Sequence, residues 1–434
     1  MKRRSFLKTA SVLALPAIVP ASIFAGEAAP ANRVGLGCIG LGIQGMGNMR
    51  TFRGNPEVRV AAVCDVHATQ RGEAKQSVDE FYSNGDCQAM VDFKELIGRK
   101  DIDAVQITAP DHWHPLMIIE AAKHRKAIYC EKPMGWSFRA AQRAKQAVEA
   151  AGVVFQFGTQ QRSGGNFRRA CELARGGKIG KLHTILVGVP GSWTCAKQPT
   201  EPVPPELNYD LWLGPAPVAP YCYQRCRPWT PKEGYSVWYC ISDYCMGMIG
   251  NWGVHHLDIA QWGNGTELSG PVEIEGKAEF PKDMLTDAAT KWQVENRYAN
   301  GVKLVHMDDG TAARHPQQVP GHGHGVLFQG SEGWVHVDRS KLDANPKSLL
   351  KLKPGPNDVR LFESNNHHAN FIDAIKGRTK PAAPIDIACR TDTLCWLQQI
   401  AVKLGKPLRW DPEKEQFVGN DEANQLLDRP MRER

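Results

Sequence analysis

The run Val34-Gly35-Leu36-Gly37-Cys38-Ile39-Gly40-Leu41-Gly42-Ile43-Gln44-Gly45 decides the fold. Its first residues form a short apolar stretch of strand type, and the glycines that follow lead into a helix. Gly40 permits a tight turn, Gly42 lets backbone approach a pyrophosphate, and Gly45 lets helix and strand pack closely. The helix N-terminus, at Ile43 and Gln44, offers N–H groups to the phosphates. A second strand-like run, Val58 to Cys64, ends at Asp65, twenty residues beyond Gly45. A dinucleotide fold places there the carboxylate that bonds the adenosine ribose hydroxyls. The same charge repels a 2′-phosphate, so the expected cofactor is NAD rather than NADP.

Outward from this unit the alternation continues. Ala104 to Thr108, Ala127 to Cys130 and Val153 to Phe157 read as strands, and Leu116 to His124 and Phe138 to Ala151 as helices. Strands alternating with helices at this spacing predict an α/β Rossmann domain with a doubly wound parallel sheet, whose ligands bind at the strand carboxyl ends. From about Gly158 the pattern changes. Lys181 to Val189, Pro271 to Phe280, Lys291 to Tyr298, Val302 to Met307, Gly325 to Gln329 and Gly333 to Asp338 read as strands with few helices between them, predicting an α+β domain with a largely antiparallel open sheet. Seven prolines between Gln198 and Pro220 predict an ordered loop rather than a helix. The expected division is 1–29 a signal peptide, 30–157 the NAD-binding domain, 158–410 a second domain built on the antiparallel sheet, and 411–434 a charged C-terminal tail.

With 434 residues, 42% hydrophobic and 23% charged, the chain is long enough for two domains and too ordinary in composition for wholesale disorder or a polytopic membrane protein. Lys2-Arg3-Arg4-Ser5-Phe6-Leu7-Lys8, an apolar stretch from Val12 to Phe24 and small residues from Ala25 to Ala29 have the layout of a signal peptide. Pro16 and Pro20 interrupt that stretch, which is shorter than a spanning helix needs, so no stable membrane span is expected. The two arginines followed by x-Phe-Leu-Lys resemble a twin-arginine signal, with ordinary secretion as the alternative, and point to a periplasmic or extracytoplasmic location. Loss of its four cations and of Glu27 takes the net charge from +7 to +4, too little to argue for nucleic acid.

The twelve cysteines lack the close Cys-x-x-Cys pairs of a zinc site, and no metal is expected. Cys38, Cys64 and Cys130 read as buried hydrophobes. Cys195, Cys222, Cys226, Cys240 and Cys245 leave room for one disulfide of undetermined pairing. Of the twelve tryptophans, Trp193, Trp212, Trp229, Trp238, Trp252 and Trp262 fall in one stretch, where aromatic faces could pack on the C–H face of a sugar ring as well as in a core.

Glu131-Lys132-Pro133 follows the strand ending at Cys130. Together with the glycine turn, Asp65, Ala109-Pro110-Asp111-His112-Trp113-His114-Pro115 and Gly247-Met248-Ile249-Gly250-Asn251-Trp252-Gly253-Val254-His255-His256-Leu257-Asp258, it resembles the Gfo/Idh/MocA oxidoreductases over nearly all the chain. The resemblance implies that Lys132 is the catalytic lysine and His255 the signature histidine. Asp258 then binds substrate or orients its neighbours, and the C-terminal sheet provides the substrate wall and subunit contact of a homo-oligomer, a dimer or tetramer. One position departs from the family pattern: Asn251 stands where a carboxylate is usual, and an amide can hydrogen-bond but cannot serve as a base.

Read as chemistry, oxidation of a secondary alcohol needs a base at the hydroxyl, a task suited to His255, and a nearby Lys132 could share the proton or polarise the developing carbonyl. On a continuous helix Asn251, His255 and Asp258 share one face. Asn251, Asp258, Arg162 and Trp252 are the candidate substrate contacts. Gly40, Gly42, Ile43, Gln44, Gly45, Asp65, Pro110, His112, His114, Glu131, Lys132 and Gln160 are the candidate cofactor contacts, with the His112–His114 loop expected at the nicotinamide side. His322 and His324 read as a flexible turn, and His367-His368 as the opening of a helix through Ala374. Three functions follow: an NAD(P)-dependent oxidoreductase acting on a carbohydrate or polyol, a redox-neutral NAD-dependent glycoside hydrolase or lyase, and a non-catalytic sugar-binding protein.

Overall fold

The computed structural model describes residues 32–228 and 232–432. The signal-peptide reading of residues 1–29, and Trp229, lie outside the described residues. Six parallel strands, β1 (Val34–Ile39), β2 (Val58–Cys64), β3 (Gln88–Met90), β4 (Ala104–Ile107), β5 (Ala127–Cys130) and β6 (Phe155–Phe157), lie in the order β3-β2-β1-β4-β5-β6. This is the doubly wound order, with its switch point between β1 and β4, where their carboxyl ends open a crevice. Helices α1 (Ile43–Arg53), α2 (Ala68–Tyr82), α3 (Phe93–Ile97), α4 (His114–Lys123) and α5 (Phe138–Ala151) provide the crossovers. Strands β1, β4 and β5 are buried along their whole length, as apolar strands covered on both faces must be.

The remaining helices are α6 (Gly165–Arg175), α7 (Tyr209–Leu213), α8 (Tyr223–Cys226), α9 (Met248–Asn251), α10 (Gly253–Asn264), α11 (Asp309–Ala313), α12 (His367–Ile375), α13 (Ile385–Leu404) and α14 (Asp421–Gln425). Strands β7 (Leu182–Val189), β8 (Glu273–Glu279), β9 (Lys291–Arg297), β10 (Lys303–Asp308), β11 (Gly325–Gly330), β12 (Gly333–Val337), β13 (Leu342–Asn345), β14 (Leu408–Asp411) and β15 (Gln416–Phe417) form a second sheet in the order β13-β12-β11-β7-β10-β9-β8-β14-β15. All its pairings are antiparallel except β7 with β10. On its alternating strands one face is buried: in β9, Trp292, Val294 and the amide Asn296 are buried while Gln293, Glu295 and Arg297 are not.

One core joins the halves. Ile107, Cys130 and Phe157 from the carboxyl half of the parallel sheet belong to the same apolar cluster as Leu257, Trp262, Phe328 and Leu394. On the opposite face, Phe371 and Ile372 of α12 pack with Phe52 of α1 and Val60 of β2, so a late segment completes the first domain. Glu57 is bound there by Arg378 and Lys376.

Three expectations are corrected. The proline-rich stretch carries one short helix, α7, capped by the Asn208 side chain on Leu211 N at 3.0 Å. The chain beyond residue 411, expected as a charged tail, completes the second sheet and docks on α5. There the Leu427 side chain is fully buried and its carbonyl accepts from Arg139 N at 2.9 Å. All twelve cysteines are free thiols, the cluster around Cys222 included.

Candidate active site

The glycine turn is built as the spacing predicts. Gly40 has φ +79°, and a Cβ there would lie 2.4 Å from Ala109 N; a Cβ on Gly45 would lie 1.9 Å from Gly40 O. A Cβ on Gly42 would meet nothing within 4 Å, and Gly42, Ile43 and Gln44 are exposed. The N-terminus of α1 carries no side-chain cap, leaving its N–H groups to an anion. Asp65 lies at the end of β2, where its oxygens accept from Leu41 N at 2.7 Å and His67 N at 2.8 Å. It thus ties the glycine turn to the second strand. Burial raises its carboxyl above the usual range, against those two N–H groups. An open cradle, a free helix end and a carboxylate at the neighbouring strand end fit a dinucleotide.

Glu131 closes the floor of this crevice. Its Oε1 accepts from Asn48 Nδ2 at 2.9 Å and Gln44 Nε2 at 3.3 Å, and Gln160 Nε2 donates to the Tyr129 hydroxyl at 3.2 Å. These contacts lock the first turns of α1 to the end of β5. Lys132 points the other way, its Nζ donating to Asn251 Oδ1 at 2.9 Å and to the Asn251 carbonyl at 3.2 Å. Burial lowers the Lys132 pKa, opposed by the charges of Glu131 and Asp111. Met134, just after Pro133, donates its N–H to the buried carboxyl of Asp392 on α13 at 3.0 Å, which fixes the Glu-Lys-Pro loop from behind.

The predicted single helix around His255 is two, α9 and α10, joined at Trp252. His255 is buried and its Nδ1 has no hydrogen-bond partner. Burial first, then the charge of Lys132, holds its pKa well below the ordinary histidine value, so it is neutral at pH 7. Asp111 Oδ2, Asn251 Nδ2, His112 Nδ1 and Thr159 Oγ1 are also buried without partners. Several such atoms near the strand carboxyl ends are the mark of a site made for a polar ligand. Asp111 is pushed up to about 7 by burial, opposed by Cys245, Lys132 and Asn251.

Other candidates are placed differently. Arg162 donates from Nε and Nη2 to Asp258 at 2.7 and 2.8 Å, with Thr391 Oγ1 adding a third bond at 3.0 Å. Both members of the pair are almost wholly buried and committed to each other, so they fix α10 against the loop after β6 rather than offer themselves to substrate. Both ring nitrogens of His114 face carbonyls, Pro133 O at 2.6 Å and Ala109 O at 2.8 Å. His112 bonds Trp212 O at 3.0 Å and packs against Trp212 and Tyr244. The two histidines therefore brace the Lys132 loop and the aromatic cluster, while Pro110 remains half-exposed. Among the tryptophans, Trp212 and Trp262 are core residues, whereas Trp193, Trp238 and Trp252 are half-buried.

Gln161, like Gln160 and Arg162, is expected from its place after the strand ending at Phe157 to contact nicotinamide or substrate, whereas the sequence does not mark Asp111 as ionisable machinery, nor Arg339. With its amide turned to satisfy both groups, Gln161 donates to His255 O at 2.9 Å and His256 Nδ1 at 3.3 Å and accepts from Arg339 Nε at 3.1 Å. His324, expected in a flexible turn, approaches His256 Nε2 at 3.3 Å and packs edge-on to Trp252. No group of three metal-ligating side chains is placed to hold an ion among the described residues, and no helix there is long and apolar enough to cross a membrane.

Known proteins resemble this chain in sequence and in fold. The chain is 24% identical over 311 residues, 70% of its length and 67% of the relative's, to the 2,7-anhydro-N-acetylneuraminate hydratase of Mediterraneibacter gnavus. It is 27% identical to the myo-inositol 2-dehydrogenase of Thermotoga maritima over 40% of this chain and 47% of that one. Of several curated relatives it matches, the chain spans about half the length. The crystal structure of the WlbA dehydrogenase from Bordetella pertussis, in complex with NADH and UDP-GlcNAcA, superposes over 87% of this chain and 99% of that one with a TM-score of 0.61 at 15% identity, which shows a common fold. Residues 34–159 match the oxidoreductase family's NAD-binding Rossmann fold and residues 191–434 its C-terminal alpha/beta domain; the chain is an enzyme of the Gfo/Idh/MocA oxidoreductase family.

Proposed function

We propose that the protein is an NAD-dependent oxidoreductase of a sugar, polyol or sugar derivative, with Lys132 and His255 as its acid and base. The observation that carries this reading is the convergence of Lys132, held by Asn251, and the unpartnered His255 Nδ1 beside the cofactor crevice. NAD, when bound, supplies the oxidising equivalent that takes a hydride from the substrate carbon. Gly40, Gly42 and Gly45 with the first turn of α1 hold its pyrophosphate, and Asp65 bonds the ribose and disfavours NADP. His255, neutral in its buried position, accepts the hydroxyl proton at Nδ1, while the Lys132 ammonium stabilises the oxygen as its charge grows. Half-buried Trp193, Trp238 and Trp252 offer faces for sugar C–H groups. The match to inositol dehydrogenase supports a polyol-like substrate.

A second reading, redox-neutral cleavage or hydration through a transient keto-sugar, is favoured by the match to a hydratase over most of this chain. It uses the same residues and separates from net oxidation by product. Export in the folded, nucleotide-loaded state, and self-association through the second sheet, belong to the same proposal and are supported by Arg3-Arg4 with its apolar run and by the family resemblance. Denaturing the purified protein and identifying the nucleotide released tests the reading. NAD is expected; a protein that carries none and takes up none contradicts it.

A further inference from the structure

Arg339 follows β12 in the turn 338–341, and its side chain reaches back over the mouth of the site. The guanidinium carbon lies 4.5 Å from the centre of the Trp252 ring, and Nε donates to Gln161, whose amide also binds His255 O. Trp252 in turn packs on His255 with ring centres 5.4 Å apart. Arg339 is thus fixed two contacts from the catalytic histidine, yet it is exposed and forms no ion pair with any described carboxylate. Tyr235, 59% exposed, is a neighbouring group and stacks with Trp193, ring centres 5.8 Å apart. A cation held by stacking and one hydrogen bond, with its two terminal nitrogens free, is preorganised for a bidentate acceptor.

Resting on the oxidoreductase reading, we propose that Arg339 is a specificity-determining residue that selects a sugar acid, gripping a uronate or aldonate carboxylate in its guanidinium fork while Trp252 and Tyr235 flank the carbon skeleton. A single charge suits the site better than a phosphoryl group. Lys132, held by Asn251, is committed to the reacting oxygen, burial keeps His255 and His256 neutral, and the charge of Glu131 also acts on Arg339, so Arg339 is the cation left for a substituent. The site would then receive its substrate from a reaction that releases acidic sugars, such as cleavage of a polyuronide or oxidation of an aldose at a terminal carbon.

The test uses the full chain with NAD. NAD affinity is measured first, then tryptophan-fluorescence titrations with glucuronate, gluconate, glucose and glucose 6-phosphate, on wild type, Arg339→Gln and Arg339→Lys. One of the two acids is expected to bind at least about tenfold more tightly than glucose, the preference to vanish in Arg339→Gln and to return in part in Arg339→Lys, with NAD affinity and melting temperature unchanged in both. No preference for either acid in a wild type that binds NAD, a preference that survives in Arg339→Gln, or glucose 6-phosphate bound as tightly as the acids overturns the proposal. Failure of wild type to bind NAD instead overturns the functional reading on which it rests.

Discussion

Lys132 Nζ lies 2.9 Å from Asn251 Oδ1 and 3.2 Å from the Asn251 carbonyl, so the ammonium is held by a neutral amide in a buried position. Desolvation is then opposed only by more distant charge, and the pKa falls. Asn251→Asp places an anion against the ammonium and favours its charged form. The basic limb of the kcat profile that reports Lys132 is expected to move to higher pH by about one unit or more, with NAD affinity unchanged. A pH–rate profile that does not move would show that Lys132 does not titrate in the reaction.

Asp65 does two jobs, bonding Leu41 N and His67 N and presenting charge at the end of β2. Asp65→Asn removes the charge and is expected to weaken NAD about tenfold while narrowing the preference of NAD over NADP. Calorimetric titration with both nucleotides checks this; an unchanged ratio would place the ribose elsewhere.

The Arg162–Asp258 pair is almost wholly buried. Removing one partner strands a buried charge and costs about 3–5 kcal/mol, whereas replacing both with apolar residues restores much of the loss. Denaturant unfolding is expected to rank Arg162→Met and Asp258→Leu well below the double variant. If the double variant is the least stable, the pair is not the self-contained unit described.

These residues show what the sequence could carry. The glycine turn, Asp65 and the alternation of strands and helices were legible because each rests on local geometry, a positive φ at Gly40 or a periodicity of burial. The mutual capture of Arg162 and Asp258 was not, since 96 residues separate them. Nor was the docking of α12 on α1, a contact between the two ends of the chain. His112 and His114 looked like ligand contacts because a histidine beside a strand end carries no sign of whether its ring turns inward. The motif could place Lys132 and His255 in order, but only the fold brings Arg339, from a hairpin more than eighty residues later, onto Trp252.

Asp111 gives a stability test with a defined sign. Its folded-state pKa is raised by burial from 3.8 to about 7. Between those values the unfolded chain binds fewer protons than the folded one, so this group makes stability fall as pH rises across that window. Asp111→Asn removes the contribution. The melting temperature of the variant minus that of wild type is expected to increase from pH 4 to pH 7 by several degrees and then to level off. A flat difference would mean that Asp111 ionises normally in the folded protein.

On the proposed function, catalysis requires Lys132 and His255 to act on a sugar beside NAD. Its most direct test is a single-turnover experiment: NAD-loaded wild type, Lys132→Met and His255→Asn are mixed with a panel of neutral sugars, polyols and sugar acids, and reduced nicotinamide is followed by its near-ultraviolet absorbance. Wild type is expected to show a transient or lasting rise with at least one substrate, and both variants, with NAD bound as tightly, to slow it about a hundredfold or more. Equal rates in the variants, or no rise with any compound in a wild type that holds NAD, would contradict the account.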